Sequence, residues 1–182
     1  MKHPEYQIEK DPLIVCGCGG GGTSFIAKLL RHKGLFMGAD AGPLDARKWH
    51  ESRAMKEINT VAYRHYGFQR GPENHYLKGD AEQNIKSLIQ NISDKEKRSI
   101  VIERLKMGRI GSLGLVGFSI PRELNIFWGS QSRDVLWGWK DPKNSFMLPL
   151  WKDLFPGAKI LMINKELVKS KVNSGEGRKF KE

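Results

Sequence analysis

Long apolar runs are missing from this chain of 182 residues. No stretch approaches the roughly 20 apolar residues that a membrane-spanning helix needs. The segment Met1 to Pro12 is polar and mixed in charge and has no apolar run of signal-peptide type, so cytoplasmic residence is the expectation. Cysteine is scarce: only Cys16 and Cys18 occur. Standing one residue apart, they would point to the same face of a strand. No second Cys or His pair lies nearby at zinc-ligand spacing, so they read as two small buried side chains and no metal is expected. Acidic residues are outnumbered, 20 against 31 Lys and Arg, which leaves a formal net charge of +11. A polyanionic partner is therefore easy to accommodate. The basic residues are spread through the chain and do not form a continuous face interleaved with aromatics. A nucleic-acid-binding module is thus a weaker reading than a site for a nucleotide with several phosphates. Internal repeats and low-complexity tracts are also missing.

What is present is the composition of a globular protein, 39% hydrophobic and 28% charged. The length suits one domain over residues 1–182, with 175–182 a flexible tail. Leu13 to Cys16 is a short apolar run and reads as a buried strand. It leads into a cluster of glycines, and Thr23 to His32 then shows helical periodicity through Phe25, Ile26, Leu29 and Leu30, with Gly34 as its stop. Phe36 to Lys48 reads as loop. Trp49 to Tyr66 and Asp80 to Ile92 have helical spacing. Ser99 to Glu103 fits a strand or a helix start, and Met107 to Phe127 has no clear period. Val135 to Trp139 reads as a second buried strand, Asn144 to Phe155 as a helix, and Lys159 to Ile163 as a third strand. Lys165 to Val172 has the pattern of a further helix start. Strands alternating with helices predict an α/β fold, a parallel sheet flanked by helices, in which ligands bind beyond the carboxyl ends of the strands.

The segment Gly17-Cys18-Gly19-Gly20-Gly21-Gly22-Thr23-Ser24 has the spacing of a phosphate-binding loop between strand and helix. Backbone amides of such a loop converge on an anion, and the helix that follows adds its positive end. Thr23 stands where ATP- and GTP-hydrolysing loops carry lysine, which argues against that chemistry. Gly17, Gly19 and Gly22 also satisfy a dinucleotide fingerprint. Asp40 is near the right distance for the acidic partner, but Phe36 and Met37 between glycines make a poor strand before it.

Two separated segments together resemble the sulfotransferase family, whose donor is 3'-phosphoadenosine-5'-phosphosulfate. Ile14 to Leu30, IVCGCGGGGTSFIAKLL, is similar to the family's 5'-phosphosulfate loop and its helix. Trp137 to Lys165, WGWKDPKNSFMLPLWKDLFPGAKILMINK, is similar to its W-x-K-x-P segment with the following helix, turn and strand. A weaker likeness lies in HKGLFMGAD with Trp49, His50, Glu51 and Ile58-Asn59. The resemblance implies a P-loop-like nucleotide-binding fold and transfer of a sulfuryl group to a hydroxyl or amine, with adenosine 3',5'-bisphosphate as product. It places the 5'-phosphate against Gly17, Gly22, Thr23 and Ser24, and Gly19, Gly20 and Gly21 complete the expected cofactor-binding loop. The 3'-phosphate falls near Lys165, Asn173 and Ser174. Gly20 stands where the family loop is usually basic, and Lys143 and Lys165 replace customary arginines.

Sulfuryl transfer needs a cation for charge on the bridging oxygen and a base for the acceptor hydroxyl. Lys140 is the cation candidate. Glu51 is the first candidate for the base and His50 the second, on the expectation that a helix starting near Trp49 presents both at an exposed N-terminal end. A catalytically inactive nucleotide-binding protein of the same fold is the alternative. The segment 67–132 matches nothing in the resemblance, so the acceptor is not legible.

Overall fold

A computed structural model describes residues 10–17, 21–43, 50–66, 81–107 and 119–164. In chain order the elements are β1 (Leu13–Gly17), α1 (Thr23–His32), α2 (Arg53–His65), α3 (Ala81–Ser93), α4 (Lys95–Met107), α5 (Ile120–Trp128), β2 (Gly138–Lys140), α6 (Asn144–Leu154) and β3 (Lys159–Ile163). The strands form one parallel sheet in the order β2-β1-β3. The central strand has Ile14, Val15 and Cys16 fully buried, as expected of a parallel strand covered on both faces.

Register decides which side chains share a face. Val15 lies opposite Lys140 and Leu161, and Ile14 opposite Trp139 and Ile160. Helix α1 covers the Val15 face: Thr23 and Ala27 are its buried residues, and Lys140 reaches its Ser24. Helix α6 covers the Ile14 face, where Met147, Leu150 and Trp151 join Ile14 and Trp139 in the core. Trp139 and Trp151 meet edge-on with centroids 4.6 Å apart. Parallel strands need such crossovers, and here they leave the sheet to opposite sides.

Trp137 and Trp139, two residues apart, point the same way and stack with centroids 5.8 Å apart. Trp128 packs on Trp137 at 5.2 Å and stacks on Phe36 at 5.4 Å, so α5 is sealed to the sheet by aromatic contacts. The residue between the two sheet tryptophans must be glycine, because a Cβ on Gly138 would lie 2.1 Å from the carbonyl oxygen of Leu13.

Several sequence expectations are corrected. Phe36, read as loop, forms a parallel bridge to Trp137 on the side of β2 away from β1. Its amide donates to Leu136 and its carbonyl accepts from Gly138, so it occupies a fourth strand position for one residue. Ser99 to Glu103 is interior to α4, and α5 occupies the end of the stretch that showed no period. Helix α2 begins at Arg53, not near Trp49, because Ser52 is its cap and accepts the Met55 amide at 3.2 Å. Asp40 caps the same helix by accepting the Ala54 amide at 2.7 Å and does not end a strand. The helix pattern from Lys165 and the tail lie outside the described residues. Among the described residues no helix is long and apolar enough to cross a membrane.

Candidate functional site

Gly22, the residue before α1, sits at φ 89 and offers no side-chain cap, and no acidic residue lies in the first turn. First-turn amides of a helix have no intrahelical acceptor and carry the positive end of its dipole. Thr23 and Ser24 add hydroxyls there. Gly17 ends β1 at φ 150, and a Cβ at this position would stand 2.4 Å from the carbonyl oxygen of Ile163, so only glycine lets the chain turn off the strand beside β3. Its amide donates to Ser145 Oγ at 3.1 Å, tying the strand end to α6. Cys16 is buried, its thiol pushed up by that burial, with Sγ 3.8 Å from the carbonyl oxygen of Leu161. Gly21 is buried, whereas Cys18, Gly19 and Gly20 lie outside the described residues.

The carboxyl end of β2 supplies Lys140. Because β2 and β1 are parallel neighbours, Lys140 emerges beside the start of the glycine segment. Crossovers to α1 and α6 leave these two strands on opposite faces, the arrangement that opens a crevice at a sheet's carboxyl edge. The Lys140 ammonium, on a residue only 4% exposed, forms an ion pair with Glu51 Oε1 and donates to Ser24 Oγ at 3.3 Å. The other carboxylate oxygen of Glu51, Oε2, lies 3.5 Å from Lys56 Nζ. Residues from three distant stretches of sequence thus meet at one point.

Neither residue before the α2 cap is at the surface, contrary to the expectation for an exposed helix end. The Glu51 side chain is 9% exposed, and His50 is 1% exposed. The two face different partners. Glu51 meets Lys140, while His50 accepts a hydrogen bond at Nδ1 from Arg31 at 3.0 Å. Arg31 also donates to the carbonyls of Ala41 and Gly42 at 3.3 and 2.8 Å, so His50 belongs to a clasp between α1 and the segment before α2.

Beneath Lys140 lies a buried polar network absent from the sequence reading. Asn59 Nδ2 donates to Asp141 Oδ2 and to Asn144 Oδ1, each at 2.9 Å, and Asn59 Oδ1 accepts the Trp151 indole N–H at 3.0 Å. Asn144 donates to the Val15 carbonyl at 3.1 Å and accepts from Trp139 at 3.1 Å. Asp141 also accepts the Lys143 amide at 2.9 Å; burial pushes its carboxyl up, partly countered by these hydrogen bonds. Lys143 Nζ reaches Thr60 Oγ1 at 3.0 Å. The signal was Asn59 itself, a polar residue next to Ile58 on the apolar stripe of α2. Lys165, Asn173 and Ser174 lie outside the described residues. Among the described residues no group of three His, Cys, Asp or Glu side chains is placed to hold a metal ion.

Comparison of the chain with protein-family models, curated proteins and solved structures returned no match.

Proposed function

We propose that the protein moves a sulfuryl group from 3'-phosphoadenosine-5'-phosphosulfate to a hydroxyl or amine of an acceptor. The observation that carries the reading is the meeting of Ser24, Glu51 and Lys140 at the carboxyl edge of a parallel sheet, where a glycine segment enters an uncapped helix. That donor set suits a phosphate-rich ligand: first-turn amides and the hydroxyls of Thr23 and Ser24 for the 5'-phosphate, and a buried ammonium for the transferring end. In this reading Glu51 takes the acceptor proton as the acceptor oxygen or nitrogen bonds to sulfur. The bond from sulfur to the bridging oxygen breaks, and adenosine 3',5'-bisphosphate leaves with its charge met by Lys140. Lys165, Asn173 and Ser174 are assigned to the 3'-phosphate by resemblance alone.

A second reading, nucleotide binding without turnover, is favoured by the pairing of Lys140 with Glu51, which neutralises the cation, and by glycine at the usually basic position 20. Calorimetric titration with adenosine 3',5'-bisphosphate, with ATP and AMP as controls, tests the donor site shared by both readings. Selective micromolar binding is the expected result; equal binding of all three, or none, overturns the assignment. Lys140→Ala should weaken that binding about tenfold to a hundredfold, the size of a lost hydrogen bond to a charged group. An unchanged affinity would remove Lys140 from the site. Turnover of the phosphosulfate donor with an acceptor then separates the enzyme from the inactive binder.

A further inference from the structure

The carboxylate of Glu51 is shared between two lysines of different character. Oε1 pairs with Lys140, whose side chain is 4% exposed, and Oε2 lies 3.5 Å from Lys56, whose side chain is 43% exposed. Lys140 already stands 3.3 Å from Ser24 Oγ, between Glu51 and the first turn of α1. A lysine has a flexible stem and three donors, so its ammonium can exchange acceptors by rotation. The backbone of Glu51 is anchored from both sides. On one side His50 is held by Arg31, and on the other Ser52 caps α2. An anion arriving at α1 would compete with Glu51 for Lys140, and Lys56 is the other cation already beside that carboxylate. A buried carboxylate left alone is strongly disfavoured.

We infer that Lys56 is a positioning residue of this site: it keeps Glu51 partnered when Lys140 turns from Glu51 to an anionic ligand. The inference rests on the reading of Lys140 as the ligand-facing cation. It adds a residue of the first turn of α2 that no sequence motif singled out. While Lys140 is in place the longer, half-exposed contact to Lys56 is the weaker of the two, and it strengthens when Lys140 leaves. Glu51 is then a counter-anion that any ligand must displace, and Lys56 lowers the cost of displacing it.

The test is calorimetric titration of the full chain with adenosine 3',5'-bisphosphate and, as a general anion, inorganic pyrophosphate, at constant ionic strength. Wild type is compared with Glu51→Gln, Lys56→Met, the double variant, Lys56→Arg and a remote charge control, Lys106→Met, with urea denaturation confirming that each is folded. Glu51→Gln should tighten binding and Lys56→Met weaken it, each by about tenfold, the factor expected from one charge-assisted contact. In the Glu51→Gln background the Lys56→Met effect should vanish, and Lys56→Arg should restore wild-type affinity. Should Glu51→Gln not fold, Glu51→Asp, which withdraws the carboxylate from Lys140, must also tighten binding. Equal weakening by Lys56→Met in both backgrounds, or an effect no larger than that of Lys106→Met, overturns the inference. The predicted coupling with pyrophosphate, without preference for the nucleotide, supports the hand-over and overturns the phosphosulfate reading. No binding of either probe to any chain overturns both.

Discussion

Glu123 shows how one residue can be at odds with its surroundings. It is 6% exposed on α5, and Arg122 lies 3.6 Å from its carboxylate. Burial is the largest influence on its carboxyl and pushes it up. Arg122 opposes that shift, while Glu57 and Asp40 add to it. A carboxyl whose folded value is raised costs nothing below its unfolded value, near 4.5, and progressively destabilises the fold as pH rises from there to the folded value. Glu123→Gln should therefore be more stable than wild type at pH 7, with the difference closing below that unfolded value. Urea denaturation at the two pH values measures this; a constant difference would mean that the carboxyl charge is not its cause. Lys140 and Glu51 are the contrasting case, since both side chains of that pair are at most 9% exposed, whereas the Arg122 side chain is 58% exposed.

At the scale of elements, local signals set most boundaries. Leu13 to Cys16, Thr23 to His32 and Lys159 to Ile163 were legible because an apolar run, a glycine break or an amphipathic period lies within each stretch. Helix α5 was missed, although Ser119 at its cap, Pro121 in its first turn and Glu123 after it form a recognisable start. The aperiodic, glycine-rich sequence ahead of it masks that signal. Helical spacing alone puts the start of α2 near Trp49, whereas the decisive feature is the Ser52 side chain accepting from Met55. Ser52→Ala should cost about 1 kcal/mol, the usual loss for a helix cap. It should also loosen Glu51, the residue before it. Chemical denaturation measures the first effect and nucleotide affinity the second. A cost near zero would mean that Asp40, which accepts from Ala54, caps the helix by itself.

At the scale of the whole molecule, the Asn59 network joins α2 to β1, β2 and α6. Its partners are buried, so removing the amide leaves Asp141 and the Trp151 indole each short of a hydrogen bond in an apolar setting. Asn59→Leu should cost roughly 3 kcal/mol or more, since each unsatisfied buried group costs about 1–3 kcal/mol. It should also tighten nucleotide binding in the folded fraction, because Glu51, the counter-anion that holds Lys140, loses its place when α2 is no longer docked. A loss of stability with binding unchanged in the folded fraction would separate the network from the site.

Alternation of apolar runs, glycines and amphipathic stretches determined the α/β class and the order of strand, glycine segment and helix, because these depend on neighbours close in the chain. Lys140 and Glu51 were candidates through the family resemblance and the chemistry it implies, not through that alternation. Only the tertiary structure decided that Glu51, not His50, meets Lys140, that Lys56 stands behind it, and that Phe36 joins the sheet. Those outcomes depend on the register of β1 against β2 and on the docking of α2 through Asn59. Both are contacts between residues far apart in sequence, for which no local pattern carries a signal.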